Sequence, residues 1–191
     1  MAATTLDRID PRVRRTRELL TTAFADLVSE RGFAAVTVQD VAERAGINRA
    51  TFYAHYDDKF ALFDQMVRSV FRAELERRLP AAERFDLDAL PLLVRVVLDA
   101  LVQIHEHCGP RGVNSAPPIE GLVQDEVQQY IRAWLDAFAG ARKRRVSAAT
   151  AALVVSSGII GAGVAWSRTA KRAPVDRLVR EICELLVPAL N

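Results

Sequence analysis

The chain has 191 residues, half of them hydrophobic, with 26 Lys and Arg against 24 Asp and Glu and a formal net charge of +2. This length can bury a core in one or two compact domains. A near-balanced charge gives no general pull toward polyanions, so any affinity for nucleic acid has to be local. Cys108 and Cys183, far apart in sequence, argue against a disulfide scaffold and suit a reducing cytoplasm, and the opening MAATTLDRIDPR lacks the apolar stretch of a secretory signal.

Arg8, Arg12, Arg14, Arg15 and Arg17 form a basic cluster leading into the first element, placed to reach phosphates or simply to be solvated. From Arg12 to Arg31, Val13, Leu20, Phe24, Leu27 and Val28 recur at three- and four-residue steps, and Gly32 follows as a stop. The next stretch, TVQDVAERAGINRATFYAHYDDK from Thr37 to Lys59, organises the rest. The Thr37 hydroxyl can cap a helix starting at Val38, with Asp40 as the capping-box acid. Val41, Ala42 and Ala45 share one face, and Gly46 stands where the chain needs a left-handed residue to leave the helix. Asn48 can then cap a second helix over Arg49 to His55, with Phe52 and Tyr56 inward and Arg49, Thr51, Tyr53 and His55 outward. This pattern predicts a helix-turn-helix whose outward side chains suit phosphates and base edges.

Thr37, Val41-Ala42, Ala45-Gly46-Ile47-Asn48, Phe52-Tyr53, His55-Tyr56, Lys59 and Leu62-Phe63 together resemble the DNA-binding segment of the TetR family of transcriptional regulators. The resemblance covers about the first third of the chain, Val13 to Phe63. It departs mildly at Phe52 and Tyr56, where such proteins often carry Leu and Phe. It implies that Thr37, Gln39, Asn48, Arg49, Thr51, Tyr53, His55 and Lys59 line the DNA surface. Arg49 and Thr51 are expected to read bases, with Tyr53, His55 and Lys59 on phosphate and Thr37 and Gln39 reaching the backbone from the first helix of the motif.

After the motif, Asp57 or Asp58 can cap a long helix carrying Phe60, Leu62, Phe63, Met66, Val67, Val70, Phe71 and Leu75 and ending before Pro80. Lys59 occupies its first turn, an unfavourable place for a cation unless a phosphate lies nearby. Further helices are predicted near Asp88 to His107 and Glu120 to Ala139, separated by GPRGVNSAPP. Arg142 to Arg145 is a basic run of the kind usually solvated. Ala148 to Trp166 carries no charge and approaches bilayer-spanning length, but its Ala, Gly and Ser content also suits close helix packing in water. With an amphipathic helix from Val175 to about Ala189, it predicts half of a four-helix dimer interface formed by Ala152, Ser156, Ile160, Gly163, Leu178, Ile182 and Leu185.

His105, His107 and Cys108 are the only cluster of metal-ligand types, and two on one helix face are too few for a closed site, so no metal and no cofactor is expected. Gly158, Gly161 and Gly163 lack the Lys-Ser/Thr of a phosphate loop, and no nucleophile with a base beside it suggests an enzyme. The expected fold is therefore all-α. A three-helix helix-turn-helix DNA-binding domain over 1–58, with a basic arm 1–11, precedes a helical ligand-binding and dimerisation domain over 59–191. The resemblance further implies a dimeric repressor of a palindromic operator on double-stranded DNA. It also implies a small apolar or aromatic effector held by Leu93, Val97, Leu101, His105, Tyr130, Trp134 and Phe138. Two alternatives stay open: a DNA-binding regulator without an effector that answers to a protein partner, and a membrane-tethered adaptor. The first reading places the protein in the cytoplasm with no membrane contact.

Overall fold

The computed structural model describes residues 10–81, 86–112, 119–137, 146–169 and 171–190, the side chains of 104–112 and 189 excepted. Those residues form eight α-helices with short 3-10 turns and no strand: α1 Pro11–Arg31, α2 Val38–Arg44, α3 Arg49–Tyr53, α4 Lys59–Arg78, α5 Leu90–Gly112, α6 Ile119–Ala137, α7 Ala148–Ser167 and α8 Val175–Leu190. Phe138, the run Arg142–Arg145, and the side chains of His105, His107 and Cys108 lie outside the described set.

The chain divides into two compact units within α4, after Met66. The sequence-based boundary at 58 falls earlier because it follows the motif, whereas Leu62 and Phe63 of α4 are buried with the motif's own core. In this first unit α1 starts at Asp10, whose carboxylate accepts the Arg12 N–H at 2.8 Å, and stops at Gly32, which takes the left-handed φ of 77°. Leu20, Phe24 and Leu27 of α1 are buried with Phe33, Val36, Val41 and Phe52. Phe24, Phe33 and Phe63 meet edge to face at 5.0 to 6.4 Å between ring centroids, geometries that aromatic quadrupoles favour.

In the second unit Leu90, Leu93, Val94, Val96, Val97, Leu98 and Leu101 of α5 are all buried. Pro91 stands in its first turn, after a 3-10 turn capped by Asp86, as the sequence requires. α6 packs chiefly on α7, and α7 also packs on α8. α7 approaches its neighbours closely through glycine. A Cβ on Gly163 would lie 2.6 Å from Leu101 Cδ1 and 2.9 Å from Leu98 Cδ2, and one on Gly158 would lie 3.3 Å from Leu186.

This packing bears on the expected dimer face. Ala152, Ser156, Ile160, Gly163 and Ile182 are buried within the chain's own second unit, Leu178 is half-buried, and of the expected positions Leu185 is the exposed one, at 78%. A helix without charge has no polar stripe to mark its outside, so periodicity selected the inward one. The outward stripe of α7 is Thr150, Leu153, Val154, Ser157, Gly161 and Ala165.

Gly163→Ala should destabilise the second unit by about 1–3 kcal/mol, because two packed leucines must leave their rotamers. Gly121→Ala on α6, where a Cβ meets nothing within 4 Å, should stabilise its helix slightly. Thermal unfolding of the two variants checks this, and equal effects would contradict the close approach of α5 and α7.

Candidate nucleic-acid interface

α2 begins with a complete capping box. The Thr37 hydroxyl accepts the Asp40 N–H at 3.2 Å, and the Asp40 carboxylate accepts the Thr37 N–H at 2.9 Å. Gly46, at φ 68°, turns the chain, and the Ile47 N–H closes the turn on the Ala42 carbonyl at 3.0 Å. Asn48 then caps α3, its side-chain oxygen accepting the Thr51 N–H at 2.7 Å and the Thr51 hydroxyl at 3.0 Å. The expected signals for the motif are therefore at their expected stations.

α3 has five residues. It ends at Tyr53 rather than at His55 because the His55 and Tyr56 N–H groups both turn back onto the Phe52 carbonyl, at 2.9 and 3.0 Å. Phe52 is fully buried and Tyr56 nearly so, their rings 5.9 Å apart. The Tyr56 hydroxyl is buried without a hydrogen-bond partner, and burial raises its pKa against the opposing influence of Arg17 and Thr21. Arg49 and Tyr53 lie on the exposed side, the guanidinium 5.8 Å from the ring centroid and donating to the phenol oxygen at 3.3 Å. Such a stack restricts the rotamers of Arg49 before any partner arrives. Thr51 engages its hydroxyl with Asn48, leaving its methyl as the group free to touch a base. His55 is half-buried just beyond the helix.

Two ion pairs brace α2 against α1. Arg44 holds Glu30 bidentately at 2.9 Å, and Arg31 reaches Asp40 at 3.3 Å. The hydrogen bond from Arg44 lowers the pKa of Glu30, and hydrogen bonds from the Thr37 side chain and backbone, then Arg31, lower that of Asp40. Gln39 is exposed and donates to Glu43. Arg12, Arg14 and Arg15 are exposed on the first turns of α1, Arg14 within 3.8 Å of Glu18. This leaves a basic margin beside the motif.

Lys59 has partners within the chain. Its ammonium, expected on phosphate, donates to the carbonyls of Phe33, Ala34 and Val36 at 3.1, 3.3 and 2.7 Å. The sequence gives the cation but not the converging carbonyls, which exist only once the 3-10 turn Phe33–Ala35 has formed. Asp58 caps α4, accepting the Ala61 N–H at 2.8 Å.

In the second unit the expected effector residues Leu93, Val97, Leu101 and Trp134 are buried, and the Tyr130 hydroxyl donates to the Pro80 carbonyl at 2.5 Å. A feature missed in sequence is Glu126, a buried carboxylate on α6. Arg72 holds it by two bonds at 3.0 Å and Arg68 by one at 3.3 Å, while Arg68 also reaches Asp125 at 2.7 Å. Two arginines four apart on α4 and one acid on the apolar stripe of α6 were the available signal. Cys183 is half-buried, and burial raises its pKa, which disfavours the reactive thiolate.

A capped three-helix unit with an exposed polar α3 defines the helix-turn-helix class. Residues 19–66 match the model of bacterial regulatory proteins of the tetR family. The HTH-type transcriptional repressor KstR2 of Rhodococcus jostii (strain RHA1) is 33% identical over 118 residues, 62% of this chain and 52% of that protein. YxbF of Bacillus subtilis (strain 168), an uncharacterized HTH-type transcriptional regulator, is 44% identical over 62 residues, 32% of this chain and 16% of its own length. The chain thus spans about half, or less, of the length of these curated relatives. Among solved structures, Thermus thermophilus FadR, a TetR-family repressor in complex with lauroyl-CoA, superposes with a TM-score of 0.64 at 17% identity. That superposition covers 92% of this chain and 95% of the other and shows the shared all-α fold.

Glu30 and Asp40 have folded pKa values below those of the unfolded chain, so their stabilisation is complete above the unfolded values and lost as pH falls through the folded ones. Amide protection in α2, corrected for intrinsic exchange, should hold from neutral pH to about 5 and fall below about 4, with α7, which has no ionisable side chain, unaffected over the same range. Unchanged α2 protection in acid would show that the braces do not hold it.

Proposed function

We propose that the protein is a dimeric, sequence-specific DNA-binding regulator of transcription, a repressor that leaves a palindromic operator when a small apolar molecule binds its helical body. The observation that carries this reading is α3, with Arg49 and Tyr53 exposed on one side and Phe52 buried on the other. In a major groove Arg49 pairs with guanine and the Thr51 methyl meets thymine, while Tyr53, His55, Thr37, Gln39 and the free amide of Asn48 serve the backbone. The arginines at the start of α1 add phosphate contacts. The matched relatives are described as transcriptional regulators, which supports a regulator rather than an enzyme.

A second copy covers the outward stripe of α7 around Leu153, Val154 and Gly161 and the exposed Leu185 of α8. Two copies place two α3 helices about one turn of DNA apart. A bilayer-spanning α7 is disfavoured, since its inward stripe packs on α5, α6 and α8. An effector acts by favouring a state whose reading heads mismatch the operator. α4, whose arginines grip Glu126, passes from one unit into the other and is the element through which that preference is felt. Two FadR proteins of the same fold are described in complex with acyl-CoA, which makes acyl thioesters the first effectors to test. Close packing around Leu93, Val97 and Leu101 supports a second reading, in which DNA binding needs no effector.

Arg49→Ala should lose about 1–3 kcal/mol on a selected operator and much less on random duplex. Equal losses on both would remove Arg49 from base reading. In the same assay an acyl-CoA that leaves operator affinity unchanged favours the effector-free reading.

A further inference from the structure

A cation in the first turn of a helix opposes the positive end of the helix dipole, and Lys59 is the first residue of α4. The cost is offset locally, because the Lys59 Nζ sits among the carbonyl oxygens of Phe33, Ala34 and Val36, within 3.3 Å of each. An ammonium has three N–H donors and no acceptor, so this set occupies all of them. The Phe33 ring lies under the same nitrogen, 4.7 Å from its centroid, and adds a cation–π attraction.

The two ends of this contact are 26 positions apart, from Lys59 back to Phe33. Between them lie the Thr37 cap, α2, the Gly46 turn, α3 and Tyr56. Val36, the acceptor at 2.7 Å, immediately precedes Thr37. The ammonium therefore ties the backbone that delivers α2 to the residue that starts α4, at the neck of a loop containing the reading motif. We infer that Lys59 is a positioning residue: its three bonds to the 33–36 carbonyls close the helix-turn-helix into a loop and set the angle at which α3 meets DNA, and its charge is not a phosphate contact. The inference rests on the DNA-binding reading above for its effect on DNA, but the closure itself does not.

Three carbonyls converging on one nitrogen require a compact point charge with tetrahedral donors. An arginine spreads its donors over a planar fork and cannot satisfy the same set. Lys59→Arg thus keeps the charge and breaks the closure, and Lys59→Met keeps the stem and removes both. In the full chain without DNA, amide exchange over residues 38–53 should accelerate about tenfold in both variants, the scale of a lost charge-assisted hydrogen bond, with α6 and α7 unchanged. On DNA both should bind about tenfold more weakly, with the slope of log affinity against log salt unchanged.

If Lys59→Arg instead binds as the parent does, and Lys59→Met loses about one phosphate from the salt slope per protomer, the lysine is a DNA contact and the inference is overturned. Faster exchange in α6 and α7 as well would mean general destabilisation and would equally overturn it. Should Lys59→Met not fold, Lys59→Arg decides alone. Should the parent protein bind no duplex, the DNA-binding reading fails while the exchange data still decide whether the neck is closed.

Discussion

A helix of five residues has no stability of its own, because fixing its first turn costs more backbone freedom than its few hydrogen bonds return. α3 is such a helix, and its existence depends on burial of Phe52 beneath it. That side chain is fully enclosed in the first unit's core, with the Tyr56 ring beside it. Asn48 satisfies the free N–H groups at its start, and the Phe52 carbonyl gathers the N–H groups of His55 and Tyr56 at its end. Everything proposed for the outward side chains follows from this inward anchoring. Arg49 can be a reader of bases only if the backbone carrying it does not move.

The second unit solves a different problem, packing an uncharged helix against several neighbours. Glycines 158 and 163 let α7 come close to α8 and α5: a Cβ would be tight against Leu186 at the first and would collide with Leu98 and Leu101 at the second. Close approach raises the number of dispersion contacts that each buried residue makes. It also uses up the small-residue stripe internally, so in the proposed dimer the second copy meets the other side of α7. The buried Glu126, satisfied by Arg68 and Arg72 of α4, adds a polar anchor whose loss would strand a charge in the interior.

The legible parts were those governed by neighbours in sequence. Thr37 with Asp40, Gly46, and Asn48 three residues before Thr51 act through bonds spanning a turn or less, so a local pattern predicts them, and the eight helices fell close to their expected spans. What could not be read depends on distant pieces of chain. The carbonyls around Lys59 come from a turn more than twenty positions earlier, and the partners of Glu126 lie on another helix. The inward face of α7 was not legible for a further reason: hydrophobic periodicity distinguishes inside from outside only when one side is polar, and neither side of that helix is. Tyr56 shows the limit from the other direction, since its ring was placed correctly while its unpartnered hydroxyl follows only from the surrounding packing.

The central claim is that α3 is presented twice per assembled molecule to the major groove. Its most direct test is to select duplexes from a random library with the purified full chain at low salt and to sequence those retained. The account predicts an inverted repeat whose half-sites lie about one helical turn, or a multiple of it, apart. Retention without any enriched sequence, or an enriched single site with no symmetry, would contradict it.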